Sequence, residues 1–546
     1  MKLLALCLLL TGCSFREPSA ISFYDAKGSL VTINALSKRA QSGTITLDRE
    51  RNYRYEIEYP VSVPPDMSLA LTYTLKGLPQ HDGSSEPVIE FGTNTSYALP
   101  VDTSFFDVKA AARLCYVMPV DAPVLHTLVI TTPGGAPPDT ALQLESMQLV
   151  PRHLGYERRD DLLIVTPYVH GGQSPSGTRM VSITPPETEK GRRWQFKLKG
   201  IRGGAFFESG KRRYEILAAQ DAHNLNIPPW FFGTGEVVFE GESDAVQLVP
   251  VEDIPFPEPR AADPNFILNM PRAAWRDQRY EIFRWDMFPS ILIFDMSDHA
   301  FQDKMMRRLA QYTEKKGYRG QLVCDVDLEG KHGWSANDYR AETLANFYNL
   351  AARKQFPLSS EERELEQILV AERIILKNAA TGEYEPGQGA ILSISRQSNQ
   401  YLRTRFIVHE CFHGLFFIDS EFRAFSEKRY AQFNATAKAF LRSYLDYLSY
   451  DISDPYLLIN EFMSYIVQQT PGQAADYFGK YAAEIIEESD WRKPVLPPKD
   501  EATGTWPLLA KAFEREAEAF SSYAAQRWGF AAGRVWRIRP LQNTAD

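Results

Sequence analysis

Apolar and polar positions change period along this chain, and the change divides it. From Ile21 to about Pro151 the period is two. Ile21-Ser-Phe-Tyr, Leu30-Val-Thr-Ile, Thr44-Ile-Thr-Leu, Arg54-Tyr-Glu-Ile-Glu-Tyr59 and Leu69-Ala-Leu-Thr-Tyr-Thr-Leu75 alternate apolar with polar residues. Pro64-Pro65-Asp66, Asp82-Gly83 and Pro133-Gly134-Gly135 punctuate them. Short strands at regular spacing with such turns predict a β-sandwich over 21–151. A second strand-rich stretch covers 154–250, with Leu162-Leu-Ile-Val-Thr166, Trp194-Gln-Phe-Lys-Leu198 and Glu236-Val-Val-Phe-Glu240. Gln148-Leu-Val-Pro151 closes the first stretch and Gln247-Leu-Val-Pro250 the second, as two tandem sandwiches would.

A Pro-rich segment, 251–265, reads as a linker. Beyond it, from 266 to 546, helical spacing takes over. Ser290-Ile-Leu-Ile-Phe294 is a buried strand in this reading. A helix follows from about Ala300, with Ser297 or Asp298 as its cap. Ser335-Ala-Asn-Asp338 is placed to cap a helix running to about Lys354, and Ser359-Ser-Glu-Glu362 has capping-box spacing. Gly387 to Ser395 alternates as a strand between glycines. Glu421 to Leu448 reads as one long amphipathic helix, and Ala474 to Glu488 and Trp506 to Arg527 as further helices. The expected fold is multidomain: two N-terminal β-sandwich domains, then an α/β, mostly helical domain.

Length supports this division, because 546 residues exceed a single domain. A net charge of −9 argues against general nucleic-acid binding. Met1 to Gly12 reads as a signal segment, with Lys2 at its positive end and Leu3 to Leu10 as its apolar core. That core is too short for a permanent span. Leu10-Thr11-Gly12-Cys13 resembles the bacterial lipobox. The resemblance implies cleavage before Cys13, a lipid on its sulfur, a tether over 13–20, and a place in the cell envelope on the outer membrane, periplasmic or surface-exposed. Cys115, Cys324 and Cys411 then remain, too few and too odd in number for a disulfide framework.

The densest chemistry lies in His409-Glu410-Cys411-Phe412-His413, of the form H-E-x-x-H. On a helix, positions i and i+4 share a face, so both imidazoles reach one ion. Glu410 sits beside them as a base for water. Phe406, Ile407, Val408, Phe412, Leu415 and Phe416 make the helix a buried one. Cys411 reads as a small apolar residue on its back. Zinc asks for a third protein ligand. Glu461 is the only carboxylate in the apolar run Leu457 to Val467, and a lone buried carboxylate asks for a cation. Asp419 and Glu421 are rivals for the position.

These two segments resemble the gluzincin metallopeptidases, whose pattern is H-E-x-x-H on one helix and N-E-x-x-[S/A] on a later one. Asn460-Glu461-Phe462-Met463-Ser464 matches the second part. The resemblance implies one Zn2+ per chain held by His409, His413 and Glu461, with Glu410 as general base and a peptide or protein as substrate. It also implies an edge strand just upstream of the metal helix. Ala390, Ile391, Leu392 and Ser393 would there pair with substrate main chain. Thermolysin-like members carry Asp four residues after the ligand Glu. Here Tyr465 stands there, either orienting a ligand or stabilising an oxyanion. His332, on a loop, is a further candidate for the cleft wall. By analogy with secreted enzymes the β-modules bind glycan. A rival expectation is a non-catalytic surface lipoprotein that binds glycan or protein and carries a structural or inactive metal site.

Overall fold

The computed structural model describes residues 254–489 and 496–541 without a break, most of 113–251, and separate strands between Ser22 and Pro100. The signal segment, the tether and Cys13 lie outside the described residues. Among the described residues, no helix is long and apolar enough to cross a membrane. The chain divides into two compact units. One comprises Met1–Gly200, Glu208–Gly210 and Gly233–Val251, the other Ile201–Phe207, Lys211–Phe232 and Glu252–Asp546. Several sheets fill the first; a sheet and most of the helices build the second.

In the first unit, Met67–Lys76 lies between Arg113–Pro119 and Ala141–Pro151, antiparallel to both. Leu69, Leu71 and Tyr73 are buried on one face, and Ala70 packs with Cys115 and Val117 on the other. Leu162–Val165 pairs in parallel with Arg113–Pro119, so strands from the two expected sandwich stretches share one sheet. In Trp194–Lys199, Trp194, Phe196 and Leu198 are buried and the residues between them half-buried, as a period of two requires.

In the second unit a five-stranded sheet has its own numbering here: β1 (Arg260–Ala262), β2 (Tyr280–Trp285), β3 (Ile291–Met296), β4 (Ala336–Arg340) and β5 (Ala390–Ser395). Their spatial order is β1-β2-β3-β5-β4. β1 falls inside the Pro-rich segment expected as a linker, so that segment's second half forms an edge of this sheet. Strand Arg212–Ile216 of this unit pairs with Ile538–Leu541.

Helices cover both sheet faces. α1 (His299–Thr313), α2 (Ala341–Arg353) and α3 (Ser360–Ala371) pack Met305, Leu309, Leu344, Phe347 and Leu365 against Ile282, Phe294 and Ile391. Asp298 caps α1 by accepting from Phe301 N (2.8 Å), and Ser359 with Glu362 closes a capping box on α3. On the other face lies α4 (Gln400–Ile418), the H-E-x-x-H helix. Gly414 allows its close approach, since a Cβ there would stand 2.9 Å from Ile291 and 3.5 Å from Leu392. Arg403 of α4 donates to both oxygens of the fully buried Asp295 on β3 (2.8 and 3.2 Å), and Arg396 adds a third bond (2.7 Å). This paired network fixes α4 along the sheet.

Two expectations fail here. Ser335 to Asp338 caps no helix: 336–340 is strand β4, and α2 begins only at Ala341. Pairing with β5 outweighs the local turn signal. The long helix expected over 421–448 is two, α5 (Ser420–Gln432) and α6 (Ala435–Tyr447). Asn434 starts the second by accepting from Thr436 N and Ala437 N.

Candidate metal centre

α4 presents His409 and His413 one turn apart, and α7 (Pro455–Val467) brings Glu461 to them. α7 starts where Asp454 caps it, accepting from Tyr456 N (3.0 Å), with Pro455 at its first position. The two Nε2 atoms lie 3.0 Å apart, and the Glu461 carboxylate is 3.7 Å from each. Donors around a tetrahedral zinc stand about 3.3 Å apart, given metal–donor distances of ~2.0–2.1 Å. The spacing therefore brackets what one ion needs. All three side chains are buried. Nδ1 of each histidine and one oxygen each of Glu410 and Glu461 have no hydrogen-bond partner. Of these atoms the two carboxylate oxygens are costly to bury unpaired, and a cation beside them removes much of the cost. These residues fit a metal ion.

Asp419 and Glu421, the rival ligands, are elsewhere. Asp419 caps α5 by accepting from Phe422 N (2.9 Å), and Arg527 bonds both carboxylates (2.9 and 2.5 Å).

Three further buried carboxylates lie nearby: Glu410, Asp338 on β4, and Glu314 just beyond α1, which acts electrostatically on Glu410 and Glu461. Asp338 Oδ1 lies 3.7 Å from His413 Nε2, and its carboxyl hydrogen-bonds that of Glu410. Asp338, Glu410 and His413 thus form a second group able to hold an ion. Burial, then mutual repulsion, raises Glu314, Glu410 and Glu461 well above the usual carboxylate range. Burial likewise lowers His409 well below its ordinary value, reinforced by His413. Carboxylates buried together in this way favour a positive charge beside them. Lys315 is the cation at hand. Its Nζ sits 3.0 Å above the Trp334 ring, and burial pulls it down to about 8.

Glu314 and Lys315 arrive here because residues 314–316 run beside 449–451: Asp451 N donates to Glu314 O (2.9 Å) and Lys316 N to Ser449 O (3.1 Å). The same pairing places Tyr450, whose hydroxyl is within hydrogen-bonding reach of Glu461. Tyr465 stands edge-on to the His409 ring (4.9 Å), with its hydroxyl turned to that of Tyr450 (3.5 Å). His332 is exposed, bonds Asp303 (3.2 Å) and does not line the cavity beside the site.

That cavity, about 380 Å³, is walled by Glu314, Asp338, Arg340, Asn460 and Tyr456, among others. β4 forms part of its wall and is the last strand of the sheet. Ala390, Ile391, Leu392 and Ser393 do not have the edge position expected of them. They belong to β5, are fully buried, and pair with β3 on one side and β4 on the other. β4 enters the sheet from an earlier part of the chain and takes the edge. Ala341 N donates to Gly389 O, so odd-numbered residues of this strand bond inward. The main-chain groups of Ala336, Asp338 and Arg340 therefore face away from β5.

Asp338, Glu314 and Tyr450 were not singled out from the sequence. Ala336-Asn-Asp-Tyr-Arg340 carries β4 in the open, but its capping residues mask it. Nothing local marks Glu314 or Tyr450.

No family model matches this chain, and no curated protein matches it. Among solved structures, the extracellular domain of ANXUR2 from Arabidopsis thaliana aligns with 43% of this chain and 97% of its own length, at 8% identity and a TM-score of 0.14. A likeness at that level carries no argument about fold or function.

Proposed function

We propose that this chain is a gluzincin-type zinc metallopeptidase, anchored to the bacterial envelope by a lipid on Cys13. The strand-rich N-terminal half of the chain would lie between that anchor and the catalytic domain in chain order. The observation that carries the reading is the convergence of His409, His413 and Glu461 on one buried point, with Glu410 beside it. Two imidazoles, one carboxylate and room for water suit zinc. The chemistry zinc supplies when bound is activation of water and polarisation of the scissile carbonyl. Glu410 takes the proton from the attacking water and delivers it to the leaving amine. Tyr450 and Tyr465 hold Glu461 and His409 in place. The outward main chain of β4 pairs with an extended substrate, and side chains play little part in that contact.

A second reading has one observation behind it. Asp338 is as near to His413 as Glu461 is, and as a fourth ligand it would close the open position and leave a structural ion. One experiment separates the two. Zinc-loaded chain, residues 14–546, is incubated with a peptide library beside Glu410→Gln. Cleavage by the parent, reduced at least ~100-fold in Glu410→Gln at unchanged zinc content, supports the peptidase. Full zinc with no cleavage in either supports the structural ion.

A further inference from the structure

The two arginines of α4 have different surroundings. Arg403 is buried on Asp295. Arg405 pairs with no carboxylate among the described residues. Its partners are two tyrosines: Nη1 donates to the Tyr401 hydroxyl (3.2 Å), and the guanidinium lies over the Tyr401 and Tyr477 rings (5.6 and 5.0 Å). Tyr401 is 58% exposed, so the cluster stands at the surface. Tyr477 is fixed in turn by a hydrogen bond shared with the Tyr444 hydroxyl. Rings hold a guanidinium by its face and leave its N–H edge for a planar acceptor, which a carboxylate matches with two parallel bonds.

The aromatic row continues beyond Tyr477. Residues Tyr477–Tyr481 form a π-helical turn, closed by Ala482 N donating to Tyr477 O. Such turns are rare and frequently sit at functional sites. Phe478, Ala482 and Ile486 follow at four-residue spacing and are buried. The neighbouring row, Tyr477, Tyr481 and Ile485, is apolar as well, yet Tyr481 is 55% and Ile485 39% exposed. A helix that only had to pack would carry polar residues there. Glu484 and Glu487 of the same segment interact with Lys499.

Arg405 precedes His409 by one turn, about 6 Å along the helix axis. Phe417, which lines the cavity, follows His413 by one turn. The cluster and the cavity therefore flank the histidines along α4. Exposed tyrosines around an arginine are the residue types that dominate protein interfaces. The unpaired positive charge sets the sign of what docks there.

We propose that Arg405, Tyr401, Tyr477 and Tyr481 form a docking surface for an acidic peptide segment of a protein partner, with a Glu or Asp carboxylate seated on the Arg405 guanidinium. The surface contains none of the metal-binding residues, so the inference stands apart from the peptidase reading.

The test is isothermal calorimetry on the chain, residues 14–546, in chelator, so that no metal-dependent cleavage intervenes. The probes are N-acetyl-Ala-Glu-Tyr-Glu-Ala amide, the same peptide with Gln for Glu, and tetragalacturonate, a carboxylated oligosaccharide. Blocked termini leave the side-chain carboxylates as the sole difference between the peptides. The acidic peptide should bind at least ~10-fold tighter than its Gln version. Arg405→Gln should abolish that preference at unchanged melting temperature, and Arg405→Lys should restore only part of it. Tyr481→Ala should weaken both peptides alike. Equal binding of both peptides, no binding of either, or a preference that survives Arg405→Gln would overturn the docking surface. Tighter binding of tetragalacturonate than of the acidic peptide would overturn the choice of partner. A chain that shows the preference but cleaves no peptide when zinc-loaded refutes the peptidase reading alone. A chain that cleaves but shows no preference refutes the docking surface alone.

Discussion

Replacing Glu461 with alanine removes one of three converging donors, and its consequence is readable as a melting temperature. At a free zinc concentration of 1,000 times Kd, binding to the folded chain alone stabilises it by about 4 kcal/mol. For a unit of roughly 300 residues the unfolding entropy is about 0.6 kcal/mol/K, so the parent should melt about 6 °C higher with zinc than with chelator. Loss of a direct ligand weakens binding by at least ~100-fold, since even supporting residues cost 10–100-fold. That is about 2.7 kcal/mol. At the same zinc concentration Glu461→Ala should keep a rise of only about 2 °C. Its metal-free form should melt no lower than the parent's, because Glu461 is repelled by Glu314 and Asp338 when no cation is present. Asp419→Ala is the control. It loses the cap on Phe422 N and the bond to Arg527, which lowers the baseline by about 1 kcal/mol, yet it should retain the full zinc increment. Differential scanning calorimetry with chelator, then with zinc, measures all three chains. A full increment in Glu461→Ala, or its loss in Asp419→Ala, would refute the ligand assignment.

Tyr450→Phe removes the hydroxyl near Glu461 and should weaken zinc binding about 10–100-fold in a chelator competition; unchanged affinity would show that the hydroxyl does not hold the ligand. Asp263 is pushed up to about 7 by burial and by Asp286, so its contribution to stability is greatest below the ordinary carboxylate range and is lost as pH rises towards 7. Asp263→Asn should therefore flatten the fall in melting temperature between pH 4 and 7, and an unchanged slope would contradict it. Gly414→Val drives a branched side chain into Ile291 and Leu392 and should cost about 1–3 kcal/mol, read as a lower denaturant midpoint at constant m-value. No loss would mean that α4 is not seated on the sheet as described.

Local pattern carried much of the second unit. The α1 cap at Asp298, the capping box at Ser359 and the H-E-x-x-H helix each depend on residues within one or two turns of each other. The last long helix, expected over Trp506 to Arg527, is observed over Pro507–Trp528, where Gly529 in the left-handed conformation (φ 73°) stops it. Where local signals competed with pairing partners far away, they misled. Ala336 to Arg340 has the residues of a helix start, and its place in the sheet depends on Ala390 to Ile394, over fifty positions later. The division of the N-terminal half into two sandwiches follows turn spacing. Which strands pair is set by contacts such as Leu163 with Leu114, which spacing does not record.

By itself, then, the sequence determined which side chains can act together on one helix. His409 and His413 share a face because four residues make about one turn. Glu461 stands out because it is a single charge in an apolar run. Tertiary structure decided what those residues meet. It chose Glu461 over Asp419 and Glu421, moved the sheet edge from Ala390–Ser395 to Ala336–Arg340, and added Glu314, Asp338 and Tyr450 to the site. The physical reason is burial. A carboxylate far along the chain becomes part of a site only when packing removes it from water beside the same point, and no window of neighbouring residues contains that information.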